Sequence, residues 1–334
     1  MGYLAGAIGA RPILGRMRPT VLVRLMMLVA TATFFACALR LGFPWFVFWR
    51  FLSGLSGGLL MVAVAPTVLA VVRAERRGRI GGIMFAGVGI GIVASGTLVP
   101  QLLRAGMVPA WLGLGALSLA LTILAWTRWP ADAPLPRAGA AAGGRLGWPI
   151  LAVCAVYALF ALGLVPHMVF FVDFIARGLG WGVPTGAAFW AVYGVGAIIG
   201  PFAAGWLGDR IGFGAAIAVA LALQLGGVLV PLLLPAVVPL ALSALVMGAF
   251  TPGMPTLVLG RLSEIASGRD QHGAWGLATT AFAVAQAVGA YGMSWLYARS
   301  HDYGPLFLAA TVAYVAALTL AIAAIRGRRR PTAG

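Results

Sequence analysis

The sequence carries very little charge, and it contains no lysine at all. Only 9% of its 334 residues are charged, all 23 basic residues are arginine, and just seven residues are acidic. A soluble domain carries about 25% charged residues. With 62% hydrophobic residues and a mean hydropathy of +1.00, the chain cannot cover a water-exposed surface. Most of its surface must therefore face hydrocarbon.

Cysteines, metal-ligand spacings and enzyme motifs are equally scarce. The two cysteines, Cys37 and Cys154, lie inside apolar runs and provide no disulfide framework or metal site. The apolar runs hold no carboxylate pair, no His/Glu metal spacing and no nucleophile motif, which argues against a membrane enzyme. The net charge of +16 does not indicate nucleic-acid binding, because the arginines form no patch. We therefore expect no cofactor, no metal, no catalytic residue and no nucleic-acid partner.

What the sequence does contain is a series of apolar runs long enough to cross a bilayer. A transmembrane helix needs about 20 apolar residues, and none of the runs alternates with the period of two of a barrel strand. An all-α membrane protein is therefore expected. A stub at Met1–Ala10 is too short to span, and ten full runs follow it: Val21–Ala38, Pro44–Val72, Ile80–Leu103, Val108–Trp126, Trp148–Ile175, Thr185–Leu207, Ala215–Leu234, Val238–Leu259, Trp275–Tyr297 and Leu306–Ile325.

The arginines decide the orientation of these runs, because cytoplasmic loops carry the Lys/Arg excess. If the loop after the stub is cytoplasmic, 17 arginines fall on the inner side and 4 on the outer side, while Arg24 and Arg50 lie within helices. We therefore predict a multi-pass protein of the bacterial inner membrane, surrounded by the lipid bilayer, with its central linker and its C-terminus in the cytoplasm.

A stretch rich in proline and glycine divides the chain. Residues 128–147 show no helical periodicity and are predicted to form a cytoplasmic linker. The linker joins a helical bundle at 1–127 to a second bundle at 148–326, and residues 327–334 form a cytoplasmic tail.

The two bundles are predicted to be repeats of one another. Tyr3 and Gly6 recur 190 positions later as Tyr193 and Gly196, and further proline, threonine and glutamate positions recur at almost the same spacing. On this repeat the stub corresponds to the middle of a second helix. We therefore expect the first bundle to be incomplete, to begin within helix 2 of six, and to lack roughly 30–50 residues through a truncated gene model or a genuine truncation.

A short motif between two later runs carries a family resemblance. The segment 205–212, with the sequence GWLGDRIG, resembles the loop signature of major facilitator superfamily transporters. Gly208 stands where that family usually has alanine, and Phe213-Gly214 stands where it usually has a basic pair. The resemblance implies a cytoplasmic gating motif formed by Gly205, Asp209, Arg210 and Gly212. The alternative is an ordinary short turn with one ion pair.

The segment 49–58 resembles the helix-4 signature of the same superfamily, in which an arginine is followed four residues later by glycine. The two residues are Arg50 and Gly54. A charge inside an apolar helix costs at least about 3 kcal/mol and faces the bundle or a wet cavity. Such a charge attracts an anionic substrate group or tunes a proton site. The alternative is that Arg50 reaches the outer interface beside two tryptophans.

Two titratable residues lie in the run that begins at Trp148. His167 is the one histidine deep in a predicted span, it shares a helix face with Tyr157, and Asp173 lies near the outer end. Histidine changes charge near neutral pH, although a lone histidine in a bundle is more often a hydrogen-bonded core residue. Both interpretations stay open from the sequence.

Three polar residues in later runs complete the set of candidates. Gln224 and Gln286 are uncharged and either bind substrate or bridge helices. The stretch Thr251–Pro255 contains two prolines and predicts a broken helix, which membrane proteins tolerate where it lines a cavity or packs on protein.

The resemblance extends over nearly the whole chain and is strongest to the YbfB/YjiJ-type bacterial branch of the superfamily. It implies the superfamily's fold of two six-helix bundles with pseudo-twofold symmetry, with helix 1 absent from this chain. In the superfamily, helices 1, 4, 7 and 10 line the central cavity. That implies Arg50, Tyr157, His167 and Thr251 as cavity residues.

The function expected from this resemblance is secondary active transport of a small-molecule substrate by alternating access. Coupling to protons is left open, and His167 and Asp173 are the titratable groups that the apolar runs offer for it. The alternative is a non-transporting membrane sensor or scaffold, or an inactive truncated fragment.

Overall fold

The computed structural model describes residues 1–69, 71–73, 77–130, 147–266 and 269–327, which are helical except at short connections. No strand occurs in this part of the chain. In chain order the helices are α1 (Gly2–Leu14), α2 (Pro19–Ala38), α3 (Phe43–Leu69), α4 (Arg77–Arg104), α5 (Met107–Ala125), α6 (Trp148–Gly178), α7 (Val183–Ile211), α8 (Phe213–Leu233), α9 (Val237–Ile265), α10 (Arg269–Ser300) and α11 (Gly304–Gly327).

The lengths and composition of these helices confirm an all-α membrane fold. Over the ranges that the structure describes, nine helices are long and apolar enough to cross a membrane, namely α2 to α9 and α11. Helix α1, with 13 residues, is too short to span. The remaining predicted run, Trp275–Tyr297, lies in α10, where Gln286 and many small residues lower the hydropathy, so α10 is long enough but less apolar than predicted.

Contacts between the helices divide the chain into two compact units. The first holds Met1–Arg77 and Leu98–Gly143, and the second holds Gly78–Thr97 and Gly144–Gly334. Most of α4 therefore groups with the second unit. Within the predicted linker, residues 131–146 lie outside the described residues, as does the end of the tail from residue 328. The bundle limits 1–127 and 148–326 stay predictions.

The first unit is built on close contact between α1 and α3. A Cβ atom on Gly6 would overlap the carbonyl oxygen of Leu55, and one on Gly58 would overlap that of Tyr3. Glycine is therefore needed at both positions for the two backbones to meet. Helix α2 also packs on α3, and a small apolar core that includes Leu22, Val23 and Leu59 joins these helices.

The second unit repeats this contact with equivalent residues. A Cβ on Gly196 of α7 would overlap the carbonyl oxygen of Leu245, and one on Gly248 of α9 would overlap that of Tyr193. All four positions lie 190 residues after their counterparts in the first unit. The sequence repeat thus corresponds to the same glycine-mediated helix pair, formed separately inside each unit.

Helix α9 runs through its two prolines without a break, so the predicted broken helix at Thr251–Pro255 is wrong. Pro252 and Pro255 lie inside a helix that is continuous from Val237 to Ile265. Prolines are tolerated in membrane helices where neighbouring helices and hydroxyl side chains compensate for the lost donors. Beside these prolines α9 packs closely on α7, because a Cβ on Gly248 would overlap the carbonyl oxygen of Tyr193.

Candidate functional site

Helix α6 changes its hydrogen-bonding pattern where the predicted site residues begin. An α-helical first half, Trp148–Val165, is followed by two π-helical turns, Pro166–Phe170 and Phe174–Gly178. The proline that opens the first π turn has no N–H to donate to the carbonyl four residues earlier, so the regular ladder cannot continue through it. Turns of this kind are frequent at functional sites. Both His167 and Asp173 lie in the rearranged half.

His167 is fully buried and belongs to a hydrogen-bonded chain across three helices. Its Nε2 lies 2.9 Å from Oγ of Ser243 on α9. The Ser243 hydroxyl in turn donates to the carbonyl of Gly227 on α8 over 2.7 Å. Because the serine has one hydrogen and gives it to Gly227, its oxygen must accept from His167. The imidazole therefore carries a hydrogen on Nε2.

Aromatic side chains enclose the imidazole of His167. The ring of Phe171 stacks on it with a centroid distance of 4.7 Å, and the ring of Phe307 meets it edge-on at 5.5 Å. Within the described ranges, Nδ1 of His167 has no hydrogen-bond partner. The site thus combines an apolar cage with one ring nitrogen that has no partner among the described residues.

Gln224 lies one helical turn before Gly227 on α8 and is also fully buried. Its Nε2 donates to the hydroxyl of Tyr314 on α11 over 3.2 Å, while Oε1 has no partner among the described residues. The ring of Tyr314 fits over Gly163 of α6, where a Cβ would approach it to 2.7 Å. The glutamine therefore bridges α8 and α11, which is one of its two predicted roles.

Tyr157 is buried in an aromatic cluster on the α-helical half of α6. Its ring lies 5.8 Å from Phe160 in a parallel stack and 4.8 Å from Phe282 of α10. Phe160 also meets Tyr314 edge-on at 6.5 Å. Tyr157, Gln224 and His167 are thus parts of one continuous core that joins α6 to the helices around it.

Asp173 lies at the end of α6 opposite Trp148, in a smaller polar cluster. Its Oδ2 accepts a hydrogen bond of 2.6 Å from the hydroxyl of Tyr303, and its Oδ1 lies 3.2 Å from Nε of Arg177. The hydroxyl of Tyr297 donates to that of Tyr303 over 3.1 Å. Burial, followed by the hydrogen bond to Asp173, raises the pKa of Tyr303 above its ordinary value. Tyr303 therefore stays a donor that ties α6 to the start of α11.

Thr251 lies half-buried on α9 and forms a short hydrogen bond with Tyr193 of α7. The Thr251 hydroxyl donates to Met247, so Tyr193 must be the donor to Thr251. The ring of Trp190 stacks on Tyr193 at 4.9 Å, and its Nε1 donates to Oγ of Ser95 on α4 over 3.0 Å. These contacts link α4, α7 and α9 within the second unit.

The other predicted substrate or coupling residues lie apart from this core. Gln286 is half-buried on α10 and places Nε2 at 3.3 Å from the sulfur of Met168. In the first unit, Arg50 is exposed and its guanidinium lies over the ring of Trp111, 5.8 Å from the centroid. Gly54 faces α1, where a Cβ would approach the amide nitrogen of Tyr3 to 2.8 Å. Gly54 therefore lies where the backbones of α1 and α3 come close together.

The predicted gating motif ends α7. Gly205 has room for a side chain, because a Cβ would come no nearer than 4.0 Å to Thr256. Asp209 and Arg210 are exposed, and the guanidinium of Arg210 lies 4.3 Å from the ring centroid of Trp206. Gly212 follows with a φ of +81°, a conformation that favours glycine. The glycine therefore allows the sharp turn into α8.

Sequence reasoning missed the polar partners of the candidate residues. Ser243, Tyr314 and Tyr303 make the hydrogen bonds described above, but each is a single polar or aromatic residue in or beside an apolar run. The repeat offered a signal for one of them, because Ser243 recurs from Ser53 at the same shift of 190. No three His, Cys, Asp or Glu side chains among the described residues lie close enough together to hold a metal ion.

A family model described as "Uncharacterised MFS-type transporter YbfB" matches residues 1–322. No curated protein matches the chain. Among solved structures, the fold is similar to that of a bacterial homologue of the iron transporter ferroportin in its outward-facing state, with 15% identity, a TM-score of 0.69, and coverage of 97% of this chain and 87% of that one.

Two further structures show the same similarity of fold. The human organic anion transporter MFSD10 (TETRAN) has 14% identity and a TM-score of 0.73, with 96% of this chain and 80% of that chain covered. FucP, a major facilitator superfamily transporter in its outward conformation, has 15% identity and a TM-score of 0.69, with coverage of 99% and 88%.

Proposed function

This chain belongs to the YbfB-type family of major facilitator superfamily transporters and is a multi-pass membrane transporter, and on that basis we propose that it moves a small solute across the bacterial inner membrane by alternating access. The observation that carries the proposal is the family match over residues 1–322, in a chain with nine helices of membrane-spanning character within its described ranges. The arginine bias supports an inner-membrane protein whose linker and C-terminus are cytoplasmic.

In this proposal the second unit provides a rigid wall of the transport path. Alternating access moves helical bundles largely as rigid bodies around a site near the middle of the membrane. The hydrogen bonds from His167 to Ser243 and from Gln224 to Tyr314 join α6, α8, α9 and α11. Buried polar contacts of this kind are costly to break in hydrocarbon. They support a bundle that moves as one body.

Proton coupling is the proposed driving force, and His167 and Asp173 are its proposed carriers. Both lie in the half of α6 with π-helical turns. His167 keeps Nδ1 without a partner among the described residues, so a proton has a place to bind when the cage around the ring opens. Asp173 is half-buried, and its carboxylate already binds the guanidinium of Arg177 and the hydroxyl of Tyr303. The competing explanation is that His167 is a hydrogen-bonded core residue with a structural role only.

The first experiment identifies a solute and then measures its movement. Purified protein in detergent is heated with a panel of small solutes, and a solute that binds the folded state raises the melting temperature. Each solute that does so is then tested for uptake into proteoliposomes, with and without an imposed pH gradient. Empty liposomes and the variant Asp209→Asn, which alters the predicted gate, are compared with the wild type.

The outcomes separate the functional alternatives. Uptake that depends on the protein and is accelerated by the pH gradient supports proton-coupled transport. Uptake that is indifferent to the gradient, and unchanged in His167→Asn and Asp173→Asn, supports transport without proton coupling. Binding without any uptake favours the sensor or scaffold.

A further inference from the structure

The ring of Phe213, the first residue of α8, lies in a notch that two glycines create. A Cβ on Gly208 of α7 or on Gly260 of α9 would overlap this ring. Both glycines lie in the second unit, on two helices that approach each other at the same end. An alanine at either position would therefore displace the ring.

The backbone of Phe213 is also held in place, through its N–H group. The N–H of Phe213 donates to Oε1 of Glu264 over 3.2 Å, and Nη1 of Arg261 binds Oε2 of the same carboxylate at 2.6 Å. Arg261 also lies next to Gly214, where a Cβ would approach its guanidinium to 3.2 Å. The turn at Gly212 is thus fixed to the end of α9 by one apolar contact and one hydrogen bond, whose acceptor carboxylate also binds Arg261 of the same helix.

These contacts involve the two places at which the segment departs from the loop signature that it resembles. Gly208 replaces an alanine and Phe213 replaces the first residue of a basic pair, and the structure places the two residues against each other. The smaller residue on α7 makes the space that the larger residue on α8 occupies. The two positions are therefore structurally paired, and Gly260 completes the notch.

We propose that Phe213 is the positioning residue of the predicted gate, a ring that fixes the Asp209–Arg210 turn to α9 by packing. The proposal rests on the gating role that the superfamily resemblance predicts for this motif and on the proposed transport function. A ring in an apolar notch is little affected by salt, whereas exposed charge pairs are screened. The part of the contact that the ring makes is accordingly expected to persist at high salt.

A double-mutant cycle tests the pairing without any need for a substrate. Gly208→Ala, Phe213→Ala and the double variant are compared by thermal unfolding of the detergent-purified protein. Gly208→Ala in the wild-type background is expected to lower the melting temperature by about 2–4 °C. The same change is expected to have almost no effect once Phe213 is alanine, because no ring remains to be displaced. Gly226→Ala, where a Cβ meets nothing within 4 Å, is the matched control.

A second readout tests positioning separately from stability. Ile211 is exposed, and the two native cysteines are buried, so a water-soluble maleimide labels mainly the cysteine in Ile211→Cys. Adding Phe213→Ala is expected to raise the labelling rate several-fold at a temperature where the protein stays folded. Phe213→Leu, which keeps an apolar side chain in the notch, is expected to leave the rate close to that of the parent.

The proposal is overturned if Gly208→Ala lowers the melting temperature equally in both backgrounds, or if Phe213→Ala leaves the labelling rate unchanged. Neither result bears on solute uptake, which the proteoliposome assay measures independently. A non-additive cycle in a protein that moves no solute would keep the positioning role and remove the transport function.

Discussion

His167 and Ser243 form a hydrogen bond of 2.9 Å in which the histidine donates. The direction follows from the serine, whose hydrogen goes to the carbonyl of Gly227. One imidazole thereby connects α6 to α9 and, through the serine, to α8. A histidine that the sequence could place only somewhere in a bundle is thus a cross-link between three helices of the second unit.

Ser243→Ala removes the acceptor for the His167 N–H and leaves that donor buried. We expect the free energy of unfolding of the purified protein to fall by about 0.6–1.7 kcal/mol, the range measured for hydrogen bonds between membrane helices. Ser294→Ala is the control, because Ser294 is exposed and donates only to the carbonyl of Ala290 in its own helix. Equal stability of the two variants would show that the hydrogen bond to His167 contributes nothing.

Gly248→Ala and Gly58→Ala test the helix pair that both units share. Each new methyl group would overlap a carbonyl oxygen of the facing helix, so the two helices must separate. We expect each change to cost about 3 kcal/mol or more and to reduce the yield of folded protein strongly. Gly87→Ala and Gly91→Ala place a methyl group in open space, and normal yield is expected for both. Folded yield of Gly58→Ala or Gly248→Ala equal to theirs would contradict the close backbone contact.

Gly163→Ala tests the packing of the Tyr314 ring against α6. The added Cβ would lie 2.7 Å from that ring, so Tyr314 must move away from Gln224. Overpacking of this kind costs about 1–3 kcal/mol. In the variant Tyr314→Ala the ring is absent, and Gly163→Ala is expected to have little further effect on the melting temperature. If Gly163→Ala lowered the melting temperature equally in the Tyr314→Ala background, its effect would not arise from the Tyr314 ring.

The cluster at Asp173 predicts a specific dependence of stability on alkaline pH. The folded protein holds the phenolic proton of Tyr303 more tightly than the unfolded chain does, because its pKa lies above the ordinary value of 10.0. The stabilisation is therefore complete below pH 10 and is lost as the pH rises above that value. We expect the melting temperature of the wild type to fall more steeply above pH 10 than that of Tyr303→Phe. Tyr291→Phe, at an exposed tyrosine, is expected to follow the wild type.

Much of the fold could be predicted from the sequence, because membrane helices are specified by length and apolarity alone. The runs from Val21 onward correspond to helices α2 to α11 in order. The repeat was visible in Tyr3 and Tyr193, and it corresponds to one shared helix contact. The prolines of α9 misled the prediction, because a local rule about proline ignores the compensation that a closely packed neighbouring helix supplies.

The candidate site was less predictable, because hydrogen-bond partners depend on how helices face each other. His167 and Gln224 were identified as polar residues in apolar runs, but nothing in their neighbourhood in the sequence points to Ser243 or Tyr314. Arg50 shows the same limitation. The sequence left open a cavity or the membrane interface, and the structure adds only that the guanidinium lies over Trp111 and is exposed.

The most direct test of transport is solute uptake into proteoliposomes that contain the purified wild-type protein, measured with an inward-directed pH gradient. The solute is one that raises the melting temperature of the protein. The account predicts uptake above that of empty liposomes, loss of the gradient's effect in His167→Asn, and normal uptake in Gly226→Ala. Binding of a solute with no uptake in any condition would contradict the transport function.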